Sequence, residues 1–167
     1  MGQTLAEKII CRAAGRDTVR PGEILTCRVD LAMVHDASGP RRIGPMLERL
    51  GAGVWDPDKL VVISDHYVPA VDAASTAILD VTRKWVAQAG VRNFYDMQGI
   101  CHVVLPERGH LRPGMFVAGG AADDLLGERL SHGVASLSRT PDIARIGRCH
   151  AIPSVSIRSE PWTVTFS

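Results

Sequence analysis

The chain has four cysteines, and no two of them stand at Cys-x-x-Cys spacing: Cys11, Cys27, Cys101 and Cys149 are scattered. That spacing argues against a zinc site or an iron–sulfur set built by this chain alone, and buried free thiols are the expectation. Neither sign of charge is in excess. A formal net charge of +1 leaves no basic surplus to attract nucleic acid as the main partner. No apolar run approaches the roughly 18 residues of a membrane span. Residues 1–14 carry charges inside their apolar pattern, so they do not read as a signal-peptide core. No internal repeat or low-complexity tract is visible. These absences predict a soluble, cytoplasmic protein that neither binds nucleic acid nor enters a membrane.

What is present is an ordinary globular composition. The 167 residues are 46% hydrophobic, enough for a real core in a single domain of usual size. The most informative stretch is Leu60-Val61-Val62-Ile63-Ser64-Asp65-His66-Tyr67-Val68-Pro69. Four apolar residues in a row predict a strand buried on both faces. Asp65 and His66 then fall at its carboxyl end, where open α/β sheets place their ligands. A carboxylate beside an imidazole can fix its tautomer for proton transfer. An ordinary loop with two polar residues reads the same way on the dipeptide alone.

Elements alternate along the chain. Thr4 and Glu7 form a capping box for a short helix carrying Leu5, Ile9 and Ala13, with Gly15 as its stop. A strand is predicted over Ile24–Val34, and a short helix around Ile43, Met46, Leu47 and Leu50. Val71–Ala89 is the clearest helix, with Val71, Ala74, Ile78, Val81, Trp85 and Ala89 as its apolar stripe. Asn93–Asp96 and Met115–Ala118 read as short strands. Residues 121–133 suit a polar helix, and 153–167 a possible terminal strand. Strand–helix alternation through residue 120 makes the class α/β.

Other candidate positions each carry two readings. His35-Asp36 ends a strand and could orient a substrate, or form an Asx-turn. Arg41-Arg42 could grip a carboxylate with a bidentate fork, or open a solvated helix. His102, between Cys101 and Val103, could be a catalyst or a satisfied core histidine. Gly119-Gly120 lacks the spacing of a phosphate loop. Asp123-Asp124 reads more simply as an acidic helix start.

Taken in order, the stretches resemble a known family. They are Thr4-Leu5-Ala6-Glu7-Lys8-Ile9, Pro21-Gly22-Glu23, Val29-Asp30-Leu31-Ala32, His35-Asp36, Trp55-Asp56-Pro57-Asp58-Lys59, Asp65-His66-Tyr67-Val68-Pro69-Ala70, Asn93-Phe94-Tyr95, Gly99-Ile100-Cys101-His102-Val103-Val104-Leu105-Pro106-Glu107 and Pro113-Gly114. Over about residues 1–120 the chain is similar to the N-terminal part of the aconitase family, and most similar to its 3-isopropylmalate dehydratase and homoaconitase large subunits. The resemblance implies part of a three-layer α/β/α domain. It also implies reversible dehydration of a hydroxy di- or tricarboxylate, with a 4Fe-4S cluster taking the leaving hydroxyl as a Lewis acid. By the same resemblance, Asp65, His66 and His102 match catalytic positions, and His35, Asp36 and Arg41 lie in a substrate-contacting loop.

The departures limit that inheritance. The family's glutamine in the substrate loop falls near Pro40 or Arg41. Its Asp-Ser-His-Thr motif is replaced by Ala121-Ala122-Asp123-Asp124. None of the four cysteines carries over as a cluster ligand, so no cluster bound by this chain alone is expected. Residues 121–167 form a diverged tail. The expectation is therefore a hydro-lyase segment acting on a small hydroxy acid, incomplete without a second chain that supplies the cluster and the swivelling domain. Two alternatives stand beside it: a carboxylate-binding or regulatory module without chemistry, and a degenerate remnant.

Overall fold

The computed structural model describes residues 2–20, 25–37 and 39–119, together with the backbone of 135–138, 154–156 and 163–166. Helix α1 (Leu5–Ala14) starts at the expected capping box: Thr4 accepts from the Glu7 amide, and Glu7 reaches back to the Thr4 amide. β1 (Leu25–Arg28), β2 (Leu31–His35), α2 (Pro40–Arg49), β3 (Leu60–Ser64), α3 (Ala73–Ala89), β4 (Asn93–Asp96), α4 (Cys101–Glu107) and β5 (Phe116–Gly119) follow. Three strands lie in the tail: β6 (Ala135–Ser138), β7 (Ser154–Ser156) and β8 (Thr163–Phe166). The predicted helix over 121–133 lies outside the described residues. Among the described residues, no helix is long and apolar enough to cross a membrane.

The main sheet has five strands in the order β4-β3-β2-β5-β6, and every pairing in it is parallel. Its central strands β2, β3 and β5 are buried along their whole length, as a parallel sheet covered on both faces requires. On one face, α1 and α3 pack Ile9, Ala13 and Val86 against Ala32, Val34, Leu60, Val62 and Phe116. On the other, α4 packs Cys101, Val104 and Leu105 against Leu31, Met33, Val61 and Ile63. The architecture is thus α/β in three layers. A second, antiparallel sheet has the order β1-β8-β7, so strands of the tail join both sheets.

Two expectations need correcting. The single strand predicted over Ile24–Val34 is two strands in different sheets. The break falls at Asp30, whose amide donates to the Phe116 carbonyl and whose carboxylate accepts from the Phe116 amide at 2.7 Å. Those bonds tie the entrance of β2 to β5. The long helix starts at Ala73, because Asp72 caps it by accepting from the Ser75 amide at 2.7 Å. That bond holds the Asp72 carboxyl below its ordinary range. The buried stripe then runs through Ser75, Ile78, Leu79, Thr82 and Val86. Val71 and Val81, expected on the stripe, are 84% and 43% exposed. Trp85 still packs inward, its ring filling the space beside Gly44 of α2, where a Cβ would come within 3.0 Å of it.

A candidate active site at the strand ends

His35 on β2 pairs in register with Ile63 on β3, and the Asp36 amide donates to the Ile63 carbonyl at 3.1 Å. The two strand ends therefore lie side by side, and so do the polar residues that follow them. Gly39 lets the chain turn sharply from β2 into α2. A Cβ there would stand 2.7 Å from the His35 carbonyl oxygen and 2.9 Å from Val34 Cβ.

Asp36 is fully buried. One carboxylate oxygen accepts from the Ala37 and His66 amides at 3.0 and 3.1 Å, and the other accepts from the Tyr67 amide at 3.0 Å. A side chain from the end of β2 thus fixes the backbone leaving β3. Asp65 has a comparable double task. Its Oδ2 accepts from the Cys101 amide, the first of α4, at 2.6 Å, and its Oδ1 lies 2.5 Å from His66 Nδ1. The Asp65 side chain is 5% exposed, whereas that of His66 is 44% exposed. With Nδ1 engaged by a buried carboxylate, His66 has Nε2 left for chemistry. Its ring also stacks on that of buried His35, with centroids 3.8 Å apart and planes 9° from parallel.

The structure therefore brings together His35, Asp36, Asp65 and His66, each of which offers one donor atom within 4.8 Å of the others. His102 does not join that group. It is the second residue of α4, one position beyond the amide held by Asp65, and its buried Nδ1 has no hydrogen-bond partner. Arg41 lies on the exposed side of the first turn of α2, with a long 3.5 Å contact to the Ala37 carbonyl. Sequence reasoning missed the amides of His66, Tyr67 and Cys101, because a backbone donor leaves no mark on residue type. It also missed the Tyr95–His110 pair, 2.6 Å from hydroxyl to Nε2. Burial lowers the His110 pKa.

The described cysteines do not fit an iron–sulfur cluster. Cys11 and Cys27 pack in the core on the α1 face, and Cys101 packs on the α4 face. Burial pushes the Cys27 thiol up to about 11. Burial, and then the neighbouring Asp65 carboxylate, push that of Cys101 up to about 12. A cluster needs thiolates converging on one point, whereas Cys101 lies across the sheet from Cys11 and Cys27, and the Cys27 and Cys101 thiols do not ionise readily.

No protein-family model matches the chain. Individual proteins do. A 3-isopropylmalate dehydratase large subunit 1 of Methanopyrus kandleri is 46% identical over 121 residues, 71% of this chain and 28% of that protein. A probable methanogen homoaconitase large subunit of Methanothermobacter thermautotrophicus is 44% identical over 120 residues, covering 69% and 28%. A chloroplastic 3-isopropylmalate dehydratase large subunit of Arabidopsis thaliana is 36% identical over 132 residues, covering 71% and 26%. The chain spans less than a third of the length of these relatives. Over about 71% of its length it is homologous to the N-terminal part of such large subunits.

Proposed function

We propose that this chain, an aconitase-family segment in its first 120 residues or so, carries the proton-handling half of a hydro-lyase site of 3-isopropylmalate dehydratase type. The observation that supports the reading is the Asp65–His66 dyad. Its 2.5 Å contact fixes which imidazole nitrogen faces the carboxylate, and the Cys101 amide anchors the other carboxylate oxygen. In dehydrating a hydroxy acid, a proton must leave carbon and another must reach the departing hydroxyl. His66 Nε2 is the exposed group here that can carry one of them, with Asp65 balancing the imidazolium charge. Asp36 positions the dyad through the backbone rather than touching substrate. His35 braces the His66 ring by stacking. His102 and Arg41 are assigned to the substrate side of the site, His102 as a second proton-handling group and Arg41 as a carboxylate contact.

The 4Fe-4S cluster of the family would supply Lewis acidity at the leaving hydroxyl, and a separate chain would have to bring it together with the swivelling domain. A cytoplasmic setting and a small hydroxy di- or tricarboxylic acid as substrate belong to the same proposal. The test is anaerobic iron–sulfide reconstitution of the chain, alone and with a chain carrying the remainder of a large subunit, each with the chain that supplies the swivelling domain. Dehydratase activity is expected only in the combination. His66→Ala should lower kcat by about 100- to 10,000-fold, as loss of a general acid–base group does. A stoichiometric cluster on the isolated chain, or full activity in His66→Ala, would overturn the proposal.

The replacement of the family's Asp-Ser-His-Thr motif by Ala121-Ala122-Asp123-Asp124 favours a second reading, a carboxylate-binding module without chemistry. Calorimetry with isopropylmalate-like acids separates the two. Binding lost in His66→Ala, with no turnover in any combination, would support the module.

A further inference from the structure

We propose that His35, Asp36, Asp65 and His66 form a binding site for one divalent first-row transition-metal ion. Four side chains from two strand ends place one donor atom each within 4.8 Å of one another. Asp36 Oδ1 lies 3.7 Å from His66 Nδ1 and 4.0 Å from His35 Nδ1. Donors around a four-coordinate ion with bonds near 2.1 Å stand about 3.4 Å apart. These two separations are within a small contraction of a ligand shell, and the 2.5 Å contact between Asp65 Oδ1 and His66 Nδ1 has to open to reach it.

Charge gives a second, independent reason. Asp36 is fully buried and the Asp65 side chain is 5% exposed. Among the described residues, the ion-pair partners of these two carboxylates are imidazoles, with no lysine or arginine within 4 Å. Backbone amides offer partial charge only. A pair of buried carboxylates without a permanent cation is costly, and a dication answers that cost directly. The donor set selects the metal class. Two imidazoles with two carboxylates suit zinc, cobalt, iron(II), manganese or nickel. Calcium and magnesium prefer all-oxygen shells, and soft thiophilic ions prefer sulfur.

One rearrangement is required. The His35 and His66 planes are parallel and 3.8 Å apart, so their in-plane lone pairs cannot meet on a single ion. His35 is buried, whereas the His66 side chain is 44% exposed. His66 is therefore the ring that turns, releasing Asp65 Oδ1 to the metal. The occupied and empty sites are two states of one cluster: the ion takes the nitrogen that otherwise faces Asp65. This inference rests on the cluster's geometry and not on the hydro-lyase reading.

The test uses the full chain, stripped with a chelator and titrated with cobalt(II) alone, then with zinc(II) as competitor. One cobalt per chain is expected, with visible d–d absorption and no sulfur-to-cobalt charge-transfer band. His66→Ala and Asp65→Asn should each weaken binding by at least about 100-fold, and His110→Gln should leave it unchanged. Circular dichroism checks that each variant is folded. His66 is exposed enough that its alanine variant decides the matter if Asp65→Asn fails to fold. No stoichiometric binding, affinity unchanged in His66→Ala, or a thiolate charge-transfer band would overturn the assignment. Because the readout is binding, a failed dehydratase assay leaves it standing.

Discussion

The two ends of β2 solve the same problem with different chemistry. At the entrance, Asp30 accepts from the Phe116 amide and pairs with the Arg12 guanidinium, which also donates to the Gly114 carbonyl. At the exit, Asp36 accepts from three amides, and the charged or chargeable groups near it are His35 and His66. Both aspartates fasten neighbouring chain segments. Arginine is a permanent cation, so the entrance is one fixed state. Imidazole can gain a proton, lose one or ligate a metal, so the exit has several states open to it. A carboxylate balanced by arginine reads as structure, and one balanced by histidines reads as a site.

The sharpest way to break that comparison is to remove Asp36. Asp36→Ala would leave the part-buried amides of Ala37, His66 and Tyr67 without their acceptor. The expected loss is about 3–5 kcal/mol, the range for removing one partner of a buried charged network, measured by urea denaturation. Asp36→Asn keeps one acceptor oxygen and should cost less. If Asp36→Ala were near neutral, Asp36 would not be holding the Asp65–His66 turn, and its role as positioning residue would fall.

Removing Asp30 should do less and should do it elsewhere. Its side chain is 25% exposed, and Arg12 keeps its bonds to Gly114 at 3.1 and 2.7 Å. Asp30→Ala is expected to cost about 1–2 kcal/mol: one amide bond and a partly screened ion pair. Binding of cobalt or of a hydroxy acid at the other end of β2 should not change. A loss of binding in Asp30→Ala would show that the two ends are coupled.

How much of this was legible depends on which atoms do the work. The apolar run Leu60–Ile63 foretold a doubly buried strand, because burial on both faces removes the alternation of a surface strand. Asp65-His66 at its end followed from the run. The partnership with His35 and Asp36 did not follow from spacing, since a parallel register between distant strands, with His35 opposite Ile63, joins them. The split at Asp30 was hidden because Cys27, Val29 and Leu31 continue one alternating pattern across two sheets. The stripe of α3 was misphased because Leu79 and Val86 are buried and Val81 is exposed, and helical periodicity alone accepts either row. α4 has Pro106 inside it and only seven residues, too few for a periodic signal.

The smallest expected effect concerns a third group near the strand ends, the Tyr95–His110 pair. Burial lowers the His110 pKa, so the folded protein resists a proton that the unfolded chain accepts. The unfolded state therefore binds more protons once pH falls below the ordinary imidazole value. Stability should be fully present above that value and decline as pH drops toward the depressed folded value. The Tyr95 hydroxyl oxygen lies 2.6 Å from His110 Nε2. His110→Gln should flatten this decline in mild acid while leaving stability at neutral pH slightly lower, as the bond is weakened. Paired denaturation curves of the two proteins across that window measure the difference directly. An identical slope in both would show that His110 does not set the acid sensitivity of this edge. Retention of the difference after the Asp36→Ala change would show that the Tyr95–His110 pair titrates independently of the cluster.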